Sequence, residues 1–160
     1  MENTREKVAE VTATLRRSGI ICDLFGGWAE EVLGIREPST HGDIDMIYRS
    51  ETFRELDSKL RGIPEFEAVP LKRFRHKRAF HFYGTLCEVT LVQEREGPFT
   101  LFWGDVHFRW DIPLLHGALV EVEREPISIV SANNLKRYRD LHKDTQPHRW
   151  PDPQSLEPSA

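Results

Sequence analysis

Residues 20–48, IICDLFGGWAEEVLGIREPSTHGDIDMIY, contain the pattern that decides the fold prediction. The apolar run that opens this stretch ends at Gly26, which predicts a buried strand entering a tight turn. Residues 28–33 have the composition of a short helix, and 43–48 alternate acidic with apolar side chains, as a half-buried strand does. The stretch therefore predicts a strand, a glycine turn, a helix and a second strand.

The rest of the chain mixes helical and strand patterns in the same way. Val8, Val11 and Leu15 follow helical spacing and predict a first helix that stops before Gly19. Two further helices are predicted, one capped by Ser50 and one starting after Ser131, and the remaining predicted strands are 66–71, 78–83, 86–92, 99–103, 106–110 and 127–130. Helices between strands predict an α/β or α+β sheet with helices packed on one side.

Length and charge limit the classes of protein that fit. The 160 residues, with 39% hydrophobic and 30% charged, suit one globular domain, which we place at 1–146. Residues 147–160 hold four prolines and almost no apolar residue, so an extended or disordered Pro-rich tail is expected there. The net charge of −4 argues against nucleic acid or an anionic membrane surface as the main partner.

Cysteine usage and hydropathy bear on location. Cys22 and Cys87 have no second cysteine at metal-ligand spacing, which excludes a disulfide scaffold and a zinc ribbon. No apolar run approaches the roughly 20 residues of a membrane span, and the first residues are charged. We therefore expect a cytoplasmic protein with free thiols and no membrane partner.

Three carboxylates are the candidates for chemistry. Asp43 and Asp45 lie two apart on a predicted strand, so both side chains leave the same face. Like charges about 4 Å apart cost on the order of 4 kcal/mol at a dielectric near 20, which a cation or a proton relieves. Glu88 is a charge within an apolar strand and could complete a site for Mg²⁺ or Mn²⁺. The alternatives are solvated aspartates on an edge strand, and a salt bridge from Glu88 to a cation of 72–78.

Gly26 and Gly27 are candidates for phosphate binding. Glycines at the end of a strand let backbone amides approach a phosphate closely, and Gly27 in particular is expected to face the phosphates. Strand-to-helix turns use glycine routinely, so the pair is informative only together with the carboxylates.

The combined pattern resembles a known family. Gly26-Gly27-Trp28-Ala29 is followed, after twelve residues, by Gly42-Asp43-Ile44-Asp45, and Glu88 lies on a later strand. This is similar to the nucleotidyltransferase superfamily, and most of all to the small aminoglycoside and lincosamide nucleotidyltransferases, whose G-G-W-A segment precedes an H-x-D-I-D motif. His41 begins that motif here.

The resemblance implies a fold, a reaction and a set of site residues. The fold would be a small mixed sheet flanked by helices, and the reaction the transfer of a nucleoside monophosphate, AMP from ATP, to a hydroxyl of a small acceptor such as an aminoglycoside or lincosamide antibiotic. Asp43, Asp45 and Glu88 would bind two Mg²⁺ ions for an in-line displacement of pyrophosphate, with Glu88 as the base. The residues expected to contact the nucleoside triphosphate are Gly26, Gly27, Trp28, Ser39 and Lys136.

Two departures from the family pattern keep other functions open. Ser39 stands where many members carry an arginine, and the third carboxylate is Glu88 where aspartate is common. A catalytically silent nucleotide-binding or toxin–antitoxin-type regulatory relative, and a nucleotidyltransferase that modifies proteins, are the alternatives. The choice of triphosphate, and of monomer or homodimer, also stays open.

Overall fold

The computed structural model describes residues 3–145. Four helices and nine strands are assigned within them. In chain order they are α1 (Arg5–Arg17), β1 (Cys22–Phe25), α2 (Gly26–Val32), β2 (Asp43–Arg49), α3 (Arg54–Leu60), β3 (Phe66–Ala68), β4 (Lys77–Phe82), β5 (Thr85–Val92), β6 (Phe99–Phe102), β7 (Val106–Arg109), β8 (Val120–Val122), β9 (Glu125–Ile127) and α4 (Ala132–Thr145), with a short 3₁₀ turn at Pro70–Lys72.

A five-stranded mixed sheet forms the centre of the molecule. Its strand order is β1-β2-β5-β4-β3. Strands β2 and β5 are parallel, whereas the other neighbours in this sheet are antiparallel. The predicted α+β architecture, a small mixed sheet with packed helices in one domain, is confirmed.

Both faces of the sheet carry further structure. We call the face that bears Asp45 and Glu88 the front face. Arg78 of β4 points to the back face, where it bonds Asp57 of α3 at 2.8 Å. On the front, the ring of Tyr138 on α4 lies 4.6 Å from that of Phe25, centroid to centroid. Helix α4 therefore covers one side of the front face.

Some predicted boundaries were wrong, each for a local reason. Ser50 does not cap a helix: its N–H donates to Val92 O and prolongs the sheet, and α3 begins only at Arg54, with Phe53 at the N-cap position. The predicted strand 66–71 stops at Ala68, since Pro70 begins the 3₁₀ turn. The segment predicted as strand 127–130 divides between β9 and a short bridge from Ile129 to β1.

Two further predictions concern the C-terminal tail and membrane-spanning segments. The predicted Pro-rich tail, 147–160, lies outside the described residues. Within residues 3–145, none of the helices is both long and apolar enough to cross a membrane.

The side chain of Asn134 anchors the start of α4 to the backbone of Asp111. Its side chain is fully buried and bonds the backbone of Asp111 twice: Oδ1 accepts from the N–H at 2.9 Å, and Nδ2 donates to the carbonyl at 3.0 Å. Ser131 caps the helix, as predicted, with Oγ 3.4 Å from the Asn134 N–H. These bonds fix the start of the helix that carries Tyr138.

We expect Asn134→Ala to destabilise the protein by ~2 kcal/mol, because two backbone groups of Asp111 lose their partner. In a chain of this size that lowers the melting temperature by roughly 4–8 °C. The exposed neighbour Asn133 provides the control, because its Nδ2 donates to the Asp111 carboxylate at 2.7 Å rather than to the Asp111 backbone. Equal melting temperatures for Asn134→Ala and Asn133→Ala would show that the buried amide does not anchor the helix.

Candidate active site

Strand register brings the three predicted carboxylates together. Asp45 on β2 lies directly opposite Glu88 on the parallel strand β5, and Asp43 lies two residues before Asp45 on the same face. One oxygen from each of the three side chains lies within 4.8 Å of the others. The predicted cluster therefore exists as a geometric unit.

The two aspartates are partly buried, and their negative charges repel each other. Burial raises the pKa of Asp45 well above its usual value, and the negative charges of Asp43 and Glu88 raise it further. Burial and the charge of Glu88 likewise raise the pKa of Asp43. The aspartate pair thus favours a proton or a bound cation over two bare charges.

Glu88 has a different environment, because two lysines hold it. Lys77 Nζ lies 2.9 Å from one carboxylate oxygen and Lys72 Nζ lies 2.5 Å from the other. Burial by itself raises the pKa of Glu88, but the charge of Lys77 and hydrogen bonds from both lysines outweigh that effect, so the pKa lies below its usual value. The two lysines therefore favour the charged form of Glu88. The salt bridge considered as an alternative from the sequence is present.

The cluster opens into a cavity of about 270 Å³. The three carboxylates and the two lysines supply its charged walls. Phe25, Thr90 and Tyr138 supply the others. The site thus offers oxygen ligands and ammonium groups beside two aromatic rings, a combination suited to a phosphate-bearing ligand.

Gly26 follows the last residue of β1 and lies beside Asp45 of the carboxylate cluster. Phe25 pairs with Asp45 across β1 and β2, so the next residue turns directly above that carboxylate. Gly26 adopts φ +66°, a conformation that favours glycine, and a Cβ added there would lie 2.8 Å from Asp45 Cβ. No other residue type fits this position without displacing Asp45.

Gly27 is constrained by the loop before β2. A Cβ at this position would lie 2.8 Å from His41 Nδ1. His41 is itself fixed, because its Nε2 lies 2.9 Å from Glu31 Oε1 and its ring packs 4.3 Å from that of Trp28. The close approach of His41 is therefore sufficient reason for glycine here, independent of any phosphate.

The structure places the other predicted triphosphate contacts away from the cavity walls. Trp28 is buried, and its Nε1 donates to Asn3 Oδ1 at 3.1 Å. Ser39 is exposed, and its N–H donates to Glu31 Oε1 at 3.0 Å. Lys136 is exposed on α4 and does not line the cavity, whereas Tyr138, two residues on, does.

Five residues belong to the site but were not predicted as site residues: Lys72, Lys77, Phe25, Thr90 and Tyr138. The two lysines had a signal in the sequence, since they fall in the basic run named as a source of partners for Glu88. Tyr138 had none, because the spacing of apolar residues in α4 does not show which side faces a cavity.

Solved structures share this fold. The antibiotic-resistance factor ANT(2″)-Ia, solved in complex with adenylyl-2″-tobramycin, matches 92% of this chain and 80% of its own at TM-score 0.63 and 15% identity. The lincosamide antibiotic adenylyltransferase LnuA, solved with lincomycin bound, matches 86% of this chain and 87% of its own at TM-score 0.68 and 12% identity.

Sequence comparison finds no such relatives. No protein-family model matches the chain, and no curated protein matches it. At 12–15% identity the structural matches show the fold alone. The resemblance to nucleotidyltransferases, identified from Gly26 to Asp45, is therefore confirmed as a resemblance of fold.

The repulsion in the cluster predicts a stabilising substitution. We expect Asp45→Asn, with metal chelated, to keep the fold and to melt about 2–4 °C higher at neutral pH, the shift that ~1 kcal/mol produces in a chain of this size. Because the pKa of Asp45 is raised on folding, its charged form destabilises the native state above that pKa. The advantage should fade as the pH falls through the raised pKa towards about 3.9, the usual aspartate value.

Thermal melts at neutral and acidic pH measure this effect. Exposed Asp140, substituted by Asn, is the control and should show no such gain. An Asp45→Asn protein that melts below the parent at neutral pH would contradict a repulsive cluster.

Proposed function

We propose that the protein is a nucleotidyltransferase that moves a nucleoside monophosphate from a triphosphate, ATP in the first instance, to a hydroxyl group of a small acceptor. The observation that carries the proposal is the convergence of Asp43, Asp45 and Glu88 directly beside the turn at Gly26. The fold shared with an antibiotic-resistance factor and a lincosamide antibiotic adenylyltransferase supports it.

The donor set fits divalent metal ions. Three carboxylates offer only oxygen ligands, which Mg²⁺ prefers, and the raised pKa values of Asp43 and Asp45 reflect charge that a cation would compensate. In the proposal Asp43 and Asp45 hold two ions and Glu88 contributes to one of them. When bound, such ions stabilise negative charge on the attacking and leaving oxygens.

The transfer itself breaks one bond and forms one. The acceptor oxygen bonds to the α-phosphorus, while the bond from that phosphorus to the oxygen bridging the β-phosphate breaks and pyrophosphate leaves with the electron pair. The proton of the acceptor hydroxyl passes to a carboxylate of the cluster, for which we propose Glu88. Tyr138 and Phe25 form the aromatic walls of the cavity in which this transfer would take place.

The binding roles of the remaining residues are part of the proposal. Gly26 and Gly27 would lie along the β- and γ-phosphates, because their backbone can approach a ligand closely. Trp28, Ser39 and Lys136 stay predicted contacts, to be made by backbone groups or by side chains that move. One neighbour was solved with adenylyl-2″-tobramycin and the other with lincomycin, so tobramycin and lincomycin are the first acceptors to test.

One observation favours a second candidate, a nucleotide-binding relative without turnover. Both oxygens of Glu88 already pair with ammonium groups, so the third carboxylate is compensated without a metal. A protein of this kind would bind a triphosphate and transfer nothing.

Labelled triphosphates, Mg²⁺ and a panel of hydroxylated acceptors separate the two candidates. We expect pyrophosphate release that depends on the acceptor, and a fall of about 10²-fold or more for Asp45→Asn and for Glu88→Gln, because each removes a ligand needed in the transition state. Glu67→Gln, an exposed change on β3, is the matched control and should retain full activity. Triphosphate binding with no release for any acceptor would favour the silent relative.

A further inference from the structure

Two lysines compete for the oxygens that the proposed metal site needs. Lys72 and Lys77 each occupy a different oxygen of Glu88, at 2.5 and 2.9 Å. An ammonium group and a divalent cation on one carboxylate repel each other, so the contacts seen here oppose metal binding at Glu88. The lysines and the metal therefore belong to different states of the site.

The same lysines suit the other ligand of the proposed reaction. A triphosphate carries several negative charges, and among the described residues that line the cavity the cations are Lys72 and Lys77. Ammonium groups bind phosphate oxygens by charge-assisted hydrogen bonds. A triphosphate in this cavity thus reaches both lysines without any change in the sheet.

The two side chains differ in freedom. Lys72 ends the 3₁₀ turn and its side chain is 33% exposed, so it can change partner by rotating its own bonds. Lys77 starts β4 with its side chain 6% exposed, and its backbone pairs with Phe74 in both directions. Lys72 is therefore the more mobile of the two side chains, and it is the one on which the exchange is tested.

We infer that Lys72 and Lys77 exchange partners when a triphosphate binds: they pass from Glu88, their partner in this structure, to the phosphates, while Glu88 passes to the metal. The inference rests on the proposed function and adds to it a coupling between its two ligands. Metal alone binds weakly because the lysines hold Glu88. Metal and triphosphate together bind well, because the phosphates draw the lysines away and the metal replaces them.

The coupling predicts two effects of opposite sign for Lys72→Met. Affinity for Mn²⁺ alone, measured by paramagnetic resonance or calorimetry, should rise about tenfold, because Glu88 loses a competing partner. Affinity for the Mg²⁺ complex of ATP should fall about tenfold or more, with AMP affected little, because AMP lacks the outer phosphates. Lys72→Arg should recover much of the triphosphate affinity.

Lys59→Met is the matched control. Lys59 has nearly the same exposure, 34%, and its own ion pair with Glu55 at 2.9 Å on α3, away from the cavity. Neither affinity should change in this variant. Thermal melts accompany each protein, and Lys72→Gln repeats the test if Lys72→Met does not fold.

The results distinguish a failure of the proposed function from a failure of the lysine exchange. A parent protein that binds Mn²⁺ but no triphosphate would overturn the proposed function, and the exchange with it. A parent that binds both, with Lys72 variants that lose both affinities together or change neither, would overturn the exchange alone. Only tighter metal binding with weaker triphosphate binding supports it.

Discussion

The parallel pairing of β2 with β5 is the constraint on which the site depends. It sets Asp45 opposite Glu88, and a slip of one residue would turn Glu88 to the back face. On the other side of β5, β4 pairs so that Lys77 lies opposite Thr90, diagonally next to Glu88 on the front face. One sheet register therefore places both the acids and a cation that compensates them.

The three carboxylates of this site could be predicted from the sequence, but the strand order that brings them together could not. Period-two alternation predicted that Asp43 and Asp45 share a face and that Glu88 opposes its apolar neighbours. Alternation says nothing about strand order, so the convergence of the three depended on the resemblance. The sequence also did not show which side of α4 faces the cavity. Tyr138 faces it, and residues two apart on a helix point in nearly opposite directions. Lys136, the residue chosen from its charge, lies on the exposed side.

The two interpretations of Glu88 that the sequence left open are not exclusive. In this structure the ion pairs with Lys72 and Lys77 supply the partner that a buried carboxylate needs. A bound metal would meet the same need by another route. The position that many related motifs fill with arginine holds Ser39 here, and the basic groups that wall this cavity come instead from β4 and the turn before it.

Gly26 and Asp45 show why two weak motifs become informative together. Phe25 pairs across the sheet with Asp45, so the chain leaves β1 immediately above that carboxylate. The turn needs φ +66°, and a side chain there would collide with Asp45. Asp45, whose carboxylate adds to the charge repulsion in the cluster, is thus also the residue whose side chain leaves room only for glycine at position 26. A ligand that binds the turn backbone lies within reach of the carboxylates, and this contact joins the two motifs into one site.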